Sequence, residues 1–310
     1  MSVNFHIPDF MNHFYLNNLL LKTMEDFPQS FHDGLKIASV FGNFGGSVWN
    51  GGRYLGGNTD INAIGAITKV FNDKGIPLRF TFTNPLLKKE HLGDGFSNKV
   101  LRIANNGLNE VIVMSPLLEE YIRENYPEYK ITSSTCKQIE DISGVLAELE
   151  KDYKYVVLDY NFNNKFDLLE QIPESERSRC EILVNACCQP NCPRRGEHYR
   201  QIGQNQINEW EHKKNPMNRI PYRSEEFQCD FMRLDLYDIT GHSTHVTPAD
   251  ILGKYVPMGF VNFKIEGRTL PDINLLETYV YYMVKPEFRD KIRLKMLTRL
   301  TRKHKYFVGG

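Results

Sequence analysis

The chain has 310 residues, of which 41% are apolar and 25% are charged, a composition typical of a globular protein with an ample core. Lysine plus arginine and aspartate plus glutamate number 38 each, so no broad basic field favours non-specific binding of nucleic acid. The longest apolar run near the start, LLL at residues 19–21, is too short to span a membrane, and no signal-peptide pattern precedes it. We therefore expect a cytoplasmic protein without membrane association, in which cysteines stay reduced.

Short β-rich runs alternate with helix-like segments along the chain. Because the intervals leave room for a helix each time, eight strands predict a parallel sheet, and eight is the number that closes a (β/α)8 barrel. We favour this TIM-like barrel over an open doubly wound sheet. The strands are predicted at residues 35–41, 78–83, 111–114, 130–134, 155–160, 182–184, 238–242 and 260–265, of which the run at 238–242 is the weakest.

The remaining segments complete a single domain over residues 1–310. Residues 1–30 contain a leading helix at 8–26, residues 35–270 form the barrel core, and residues 272–310 form C-terminal helices with a basic tail. A long polar insertion is expected at 200–230, before the predicted seventh strand. Within the core, Ser115 and Pro116 are predicted as the N-cap and first residue of a helix.

Polar side chains follow nearly every predicted strand, where the active sites of such barrels lie. Turn and capping residues produce the same enrichment, so each residue alone is more often structural, and only the set favours a site. The glycine-rich loop GNFGGSVWNGGR at 42–53 matches no phosphate-binding fingerprint and predicts a loop that crosses the barrel mouth or approaches a ligand closely. The candidate substrate-binding residues are Asn43, Asn84, Asp159, Asn161 and Asn185.

Three cysteines, Cys187, Cys188 and Cys192, follow the predicted sixth strand within six positions. Clustered thiols in a reducing compartment predict a metal site, for which Cys229 is the expected fourth ligand. An iron–sulfur cluster takes four thiolates, and zinc is the alternative, with four thiolates or with three and His198. Spacing alone does not decide between the two metals.

The segment VPMGFVNFKIEGRTLP at 256–271 resembles the KIEGR signature of the peptidase U thirty-two, or "collagenase-like", family. The loop at 41–53, the run at 104–135 and the segment at 245–255 are similar to further parts of that family. The likeness covers most of residues 35–270. The compressed CCQPNC pattern differs from the family's wider cysteine spacing, which makes this chain a divergent member.

The resemblance implies a TIM-like barrel that carries a cluster, 4Fe-4S in type, on Cys187 or Cys188, Cys192 and Cys229. It further implies oxygen-independent hydroxylation, or another redox modification, of RNA or of a small aromatic or biosynthetic substrate. The matching signature positions are Lys264, Glu266 and Arg268.

Three functions are consistent with these sequence features. The first is an iron–sulfur enzyme in which Arg268 holds a carboxylate or phosphate, Glu266 acts as an acid or base or forms a structural salt bridge, and His198 and His242 transfer protons or orient the cluster. The second is a non-catalytic metal-containing barrel that binds a partner protein or RNA, which the basic run at 289–305 favours, with Lys303 and Lys305 as test positions. A peptidase ranks lowest because no nucleophile is recognisable. A partner subunit is a further prediction.

Overall fold

The computed structural model describes residues 2–215, 217, 220–229 and 235–307, with side chains up to residue 302. In this part of the chain, eight parallel strands pair in chain order, and β1 pairs with β8 to close the barrel. The predicted (β/α)8 fold is therefore confirmed. The strands are β1 (Val3–Pro8), β2 (Leu35–Gly42), β3 (Leu78–Phe82), β4 (Glu110–Val113), β5 (Lys130–Ser133), β6 (Tyr155–Val157), β7 (Cys180–Leu183) and β8 (Asn262–Lys264).

Helices fill the intervals between strands. The predicted cap is confirmed, since the Ser115 side chain accepts a hydrogen bond from the Leu118 N–H and Pro116 opens the helix. No helix in the described ranges is long and apolar enough to cross a membrane. The helices are α1 (Phe14–Asp26), α2 (Ile61–Asn72), α3 (Lys89–Leu92), α4 (Gly95–Ile103), α5 (Pro116–Asn125), α6 (Ile142–Leu149), α7 (Phe166–Leu169), α8 (Glu174–Arg177), α9 (Arg195–Lys214), α10 (Leu236–Ile239), α11 (Pro248–Asp250), α12 (Asp272–Met283) and α13 (Arg289–Phe307).

Two strand predictions were wrong. One strand was missed and another was predicted where a helix lies, so the predicted total of eight strands was still correct. The first strand is Val3–Pro8, where no strand was predicted, although the apolar residues Val3, Phe5 and Ile7 stand at alternate positions, as is typical of a strand. The run at 238–242 lies in α10 and the turn after it. There the Asp235 carboxylate accepts hydrogen bonds from two backbone N–H groups and thereby caps a helix. The predicted strand at 35–41 is therefore β2.

The polar insertion predicted at 200–230 follows β7, and its first half belongs to the long helix α9. This helix lies against the loop after β2, because Gln206 Oε1 accepts from the Leu55 N–H at 2.8 Å. Glu209 accepts from the Gly57 N–H, also at 2.8 Å. The helix that follows β7 thus fixes a loop on the opposite side of the barrel mouth.

The C-terminal helices pack on the outside of the barrel, α12 against α13 and α13 against α1. Ile292, Met296 and Leu300 are buried at intervals of four, whereas Leu294 is 67% exposed. The basic run therefore lies on a helix that buries a narrow apolar face. Lys303 and Lys305, the residues proposed for testing partner binding, lie outside the described side chains.

Charged groups occupy the centre of the barrel interior. Arg79 on β3 and Glu181 on β7 belong to strands that are not neighbours, so their contact crosses the interior. The signature residue Lys264 joins them, with Nζ 3.3 Å from Glu181 Oε1 and 4.2 Å from the centre of the Phe41 ring. Burial lowers the pKa of Lys264 to about 8. Lys264 thus belongs to the interior network below the barrel mouth.

Candidate functional site

Glu266 lies two residues beyond β8, at the mouth where the strands end. Its backbone is held by Asn185, whose Oδ1 accepts from the Glu266 N–H at 2.7 Å and whose Nδ2 donates to the Glu266 carbonyl at 2.9 Å. The Cys187 N–H donates to Glu266 Oε2 at 3.1 Å, and the Arg53 guanidinium pairs with Oε1. The carboxylate keeps 20% of its side-chain surface exposed. It is therefore fixed in direction yet open to a ligand.

Arg268 lies next to this pair and is half-buried. Its Nη1 donates to Thr81 Oγ1 at 2.8 Å and its Nη2 to the Gly51 carbonyl at 3.1 Å. Among the residues that the structure describes, no carboxylate forms an ion pair with it. Burial and the charge of Arg53 lower the pKa of Arg268 to about 10, so the guanidinium stays charged at neutral pH.

Two glycines allow the loop after β2 to press against this arginine. A Cβ on Gly51 would lie 2.2 Å from the Thr83 carbonyl group, so only glycine fits there. Gly52 has a φ of +69°, and a Cβ at this position would lie 2.8 Å from Arg268 Nη2 and 3.6 Å from both Thr83 Oγ1 and Cys136 Sγ. The glycine-rich loop therefore approaches Arg268 closely, and the space at Gly52 that Arg268 and Thr83 border forms a small polar recess.

The cysteine loop separates its thiols into two groups. Pro190 and Asn191 occupy the central positions of a turn in which the Cys192 N–H donates to the Gln189 carbonyl at 3.2 Å, and the φ of +54° at Asn191 completes it. This turn brings Cys192 back toward Cys188, whose side chain interacts with it and with the Tyr160 hydroxyl. Burial raises the pKa of Cys188 to about 11.

Cys187 and Cys229 lie apart from that pair. The Cys187 Sγ faces the Asn185 carbonyl at 3.8 Å, and Cys229 is half-buried in the segment at 220–229. Within the described parts of the chain, no three histidine, cysteine, aspartate or glutamate side chains are grouped so as to hold a metal ion. The four predicted ligands therefore form no preassembled centre in this arrangement, and the metal site stays a prediction.

Asp159 and Asn161, predicted as substrate-binding residues, organise the base of the cysteine loop. The Asp159 carboxylate pairs with the buried guanidinium of Arg195, the first residue of α9. Arg195 also lies 4.6 Å from the centre of the Tyr160 ring. Asn161 Oδ1 accepts from the Asn191 N–H at 2.9 Å. Sequence reasoning missed Arg195, and the available signal was its position three residues after Cys192.

The predicted residues Asn43 and Asn84 are both buried and bind backbone. Asn43 Nδ2 donates to the Thr81 carbonyl at 3.2 Å. Asn84 Nδ2 donates to the Val48 carbonyl at 2.8 Å and to the Gly203 carbonyl at 3.2 Å. These two side chains hold the loops after β2 and β3 in place around the recess.

The two predicted histidines occupy different environments. His198 on α9 stacks on the Phe227 ring, with centroids 4.5 Å apart and planes 8° from parallel. Burial and the charges of Arg53 and Arg194 lower the pKa of His198 to about 4, so it is neutral at pH 7. His242 is half-buried in the turn after α10, and thus does not follow a strand as predicted.

No family model matches the chain. The chain is similar to a curated relative named "Uncharacterized protease MJ1657" from Methanocaldococcus jannaschii, with 28% identity over 173 residues. The match covers 55% of this chain and 48% of the relative, so the chain spans about half of that protein. A solved structure, "The Structure of the U32 Peptidase Mk0906", aligns with a TM-score of 0.48 and 13% identity over 87% of this chain and 95% of that one. The resemblance predicted from the motifs is confirmed as a likeness to these proteins.

These comparisons correct the functional prediction. The leading hypothesis, an iron–sulfur enzyme for redox modification or hydroxylation, was wrong, because the curated relative that this chain resembles is named as a protease. A peptidase was the lowest-ranked function because no nucleophile is recognisable in the sequence. A peptidase needs no side-chain nucleophile, however, when a carboxylate activates the attacking water.

Proposed function

We propose that the chain hydrolyses peptide bonds at the barrel mouth, with Glu266 as general base and Arg53 as the cation that stabilises the charge formed during the reaction. The observation that carries the proposal is the Glu266 carboxylate, which is held by the Cys187 N–H and Arg53 yet is partly exposed. The protease name of the curated relative supports the reaction class. The chain spans only 48% of that relative, so the activity of the whole protein is likewise a proposal.

The reaction follows from the roles of these two side chains. Glu266 takes a proton from a water molecule, whose oxygen attacks the carbonyl carbon of the peptide bond. The oxyanion of the tetrahedral intermediate is stabilised by the Arg53 guanidinium. The proton then passes from Glu266 to the leaving nitrogen as the C–N bond breaks. One water is consumed, and a carboxylic acid and an amine are formed.

Attack by water is favoured over attack by a thiol. Burial raises the pKa of both Cys187 and Cys188, which keeps these thiols protonated and weakly nucleophilic at neutral pH. The nearby His198 is stacked on Phe227. Its low pKa makes it a weak base for activating a cysteine.

The test compares wild-type protein with Glu266→Gln on a library of peptides of mixed sequence, with cleavage followed by mass spectrometry. We expect kcat/KM to fall by about 10²- to 10⁴-fold in the variant, because the amide cannot accept the proton from water. Glu197→Gln is the matched control, since the Glu197 carboxylate is 63% exposed on α9. Absence of cleavage by the wild type, or full activity in Glu266→Gln with an unchanged thermal midpoint, rejects the proposal.

Several narrower predictions accompany this proposal without being part of its mechanism. A small-molecule or RNA ligand, a partner subunit and a cytoplasmic location stay predictions from the sequence. The same holds for a zinc or iron–sulfur site on the cysteines, which the proposed steps do not use. Metal analysis of the purified chain, compared before and after Cys188→Ala and Cys192→Ala, tests the metal site separately from hydrolysis.

A further inference from the structure

Arg268 is a cation at the barrel mouth that forms no ion pair with any acid in the described part of the chain. Asp9 is the acid that attracts it, but the Asp9 carboxylate already accepts hydrogen bonds from the Met11 N–H, the Asn12 N–H and Asn12 Nδ2. The Glu266 carboxylate is paired with Arg53. A half-buried guanidinium with only a hydroxyl and a carbonyl as partners is an incomplete electrostatic arrangement, which an anionic ligand completes.

The recess beside Arg268 contains a second polar group without a partner. Thr83 is 3% exposed, and its Oγ1 makes no hydrogen bond to the described residues. This hydroxyl and Arg268 Nη2 lie 3.6 and 2.8 Å from the same point, the position that a Cβ on Gly52 would occupy. Any side chain at position 52 would fill this space. The glycine therefore keeps open a small volume that a cation and a hydroxyl donor both border.

The hydrogen-bonding capacity of Arg268 is only partly used. A guanidinium has five N–H donors. In the described structure, one on Nη1 donates to Thr81 and one on Nη2 donates to Gly51. The remaining N–H donors can bind a ligand with two acceptor oxygens. A carboxylate has this geometry, because its two oxygens match two parallel N–H groups of a guanidinium.

We infer that Arg268 and Thr83 bind the C-terminal carboxylate of a peptide substrate, an inference that rests on the proposed peptide hydrolysis. A carboxylate fits better than a phosphate because the recess offers one unpaired guanidinium, whereas phosphate sites gather several cations or backbone N–H groups. The neighbouring Arg53 is already paired with the Glu266 carboxylate. The substrates would then be peptides with a free C-terminus, bound beside the carboxylate that activates water.

The experiment uses pairs of peptides of identical sequence that end in a free acid or an amide. For the wild-type chain we expect kcat/KM to be about 10- to 100-fold higher for the free acid, since one charge-assisted hydrogen-bonded pair is lost with the amide. Arg268→Gln and Thr83→Val should each reduce this preference, because kcat/KM for the free acid falls more than kcat/KM for the amide. Arg268→Lys should restore it only in part, because lysine lacks the paired N–H groups. Arg200→Gln, on the exposed face of α9, is the control.

The outcomes separate this inference from the proposed hydrolysis. Cleavage of acid and amide peptides at equal rates leaves hydrolysis standing and overturns the carboxylate site. If no peptide is cleaved, binding of the same peptides to the whole chain is measured by calorimetry, and a preference for the acid that Arg268→Gln abolishes supports the site even though hydrolysis fails. Inhibition by inorganic phosphate but not by acetate, without a preference for acid peptides, would assign the recess to a phosphate group and overturn the inference. Thr83→Val, a change of similar shape, is the second variant and keeps the inference testable if Arg268→Gln does not fold.

Discussion

Arg79 Nη1 on β3 lies 2.5 Å from Glu181 Oε2 on β7, and both side chains are fully buried inside the barrel. The guanidinium also donates from Nη2 to Thr132 Oγ1 at 3.0 Å. The charge of Arg79 helps to hold the pKa of the Glu181 carboxyl well below its usual value, although burial opposes this effect. The pair connects opposite sides of the barrel beneath the proposed site.

Removal of one partner should therefore destabilise the fold strongly. In Arg79→Met, the Glu181 carboxylate would be left buried without its main cation, and we expect the free energy of unfolding to fall by about 3–5 kcal/mol. Urea denaturation measures this change. The double variant Arg79→Met/Glu181→Leu should recover only part of the loss, because Lys264 would then lack its Glu181 partner. A loss within about 0.5 kcal/mol in Arg79→Met would contradict the assigned role of the pair.

The stability of the chain should depend on pH through His6. Burial lowers the pKa of His6 to about 3 in the folded state, despite the opposing charge of Glu181, whereas the model-peptide value is 6.5. Between these values the unfolded state binds more protons, so stability falls as the pH falls, with a slope of about 1.4 kcal/mol per pH unit for this group.

The slope can be assigned by substitution. His6 Nδ1 is 2.7 Å from Ser39 Oγ, and a glutamine can occupy a similar polar position without titrating. In His6→Gln, the free energy of unfolding between pH 4 and 6 should vary less steeply than in the wild type, measured in urea at each pH. Carboxylates contribute equally to both proteins, so the difference between the two curves isolates the histidine. Identical slopes would show that His6 is not held in its neutral form.

The close approach of the loop after β2 to β3 should make Gly51 intolerant of substitution. A Cβ there would overlap the Thr83 carbonyl group at 2.2 Å, and backbone atoms on both sides cannot move independently. We expect Gly51→Ala to lower the stability by about 3 kcal/mol or more, at the upper end of overpacking costs. Gly57→Ala is the control. Its φ of +83° imposes about 1–2 kcal/mol of strain, but no atom lies within 4 Å of the added Cβ. Thermal midpoints that are lowered equally would contradict the steric explanation.

The Arg195–Asp159 pair should protect the cysteine loop. In Arg195→Met, Asp159 loses its buried cation, and the expected cost is about 3–5 kcal/mol. Since the Arg195 guanidinium also lies over the Tyr160 ring, which contacts Cys188, the loop should open more readily and Cys188 and Cys192 should react faster with a thiol reagent. The measurement is the rate of labelling at each cysteine by mass spectrometry. Arg200→Met, which is exposed, should leave both quantities nearly unchanged.

The sequence by itself determined the elements that depend on local chemistry. The period of two in β2 and β3, the cap at Ser115 and the alternation of strands with helices were sufficient to predict an eight-stranded barrel. The alternation of Val3, Phe5 and Ile7 in Val3–Pro8 was an available signal for the strand that the prediction missed, and the helix predicted from residue 8 begins only at Phe14. The strand predicted at 238–242 failed because a short run cannot distinguish a strand from one capped helical turn.

Only the tertiary structure decided which polar residues act together. Arg53 and Glu266 are 213 positions apart, and Arg79 and Glu181 are 102 apart, so no local pattern relates them. Three cysteines within six positions predicted a common centre, yet the turn at Pro190–Asn191 joins two of them and leaves Cys187 facing its own strand end. The physical reason is that periodicity and caps depend on neighbours in sequence, whereas buried charges pair through the closure of the barrel.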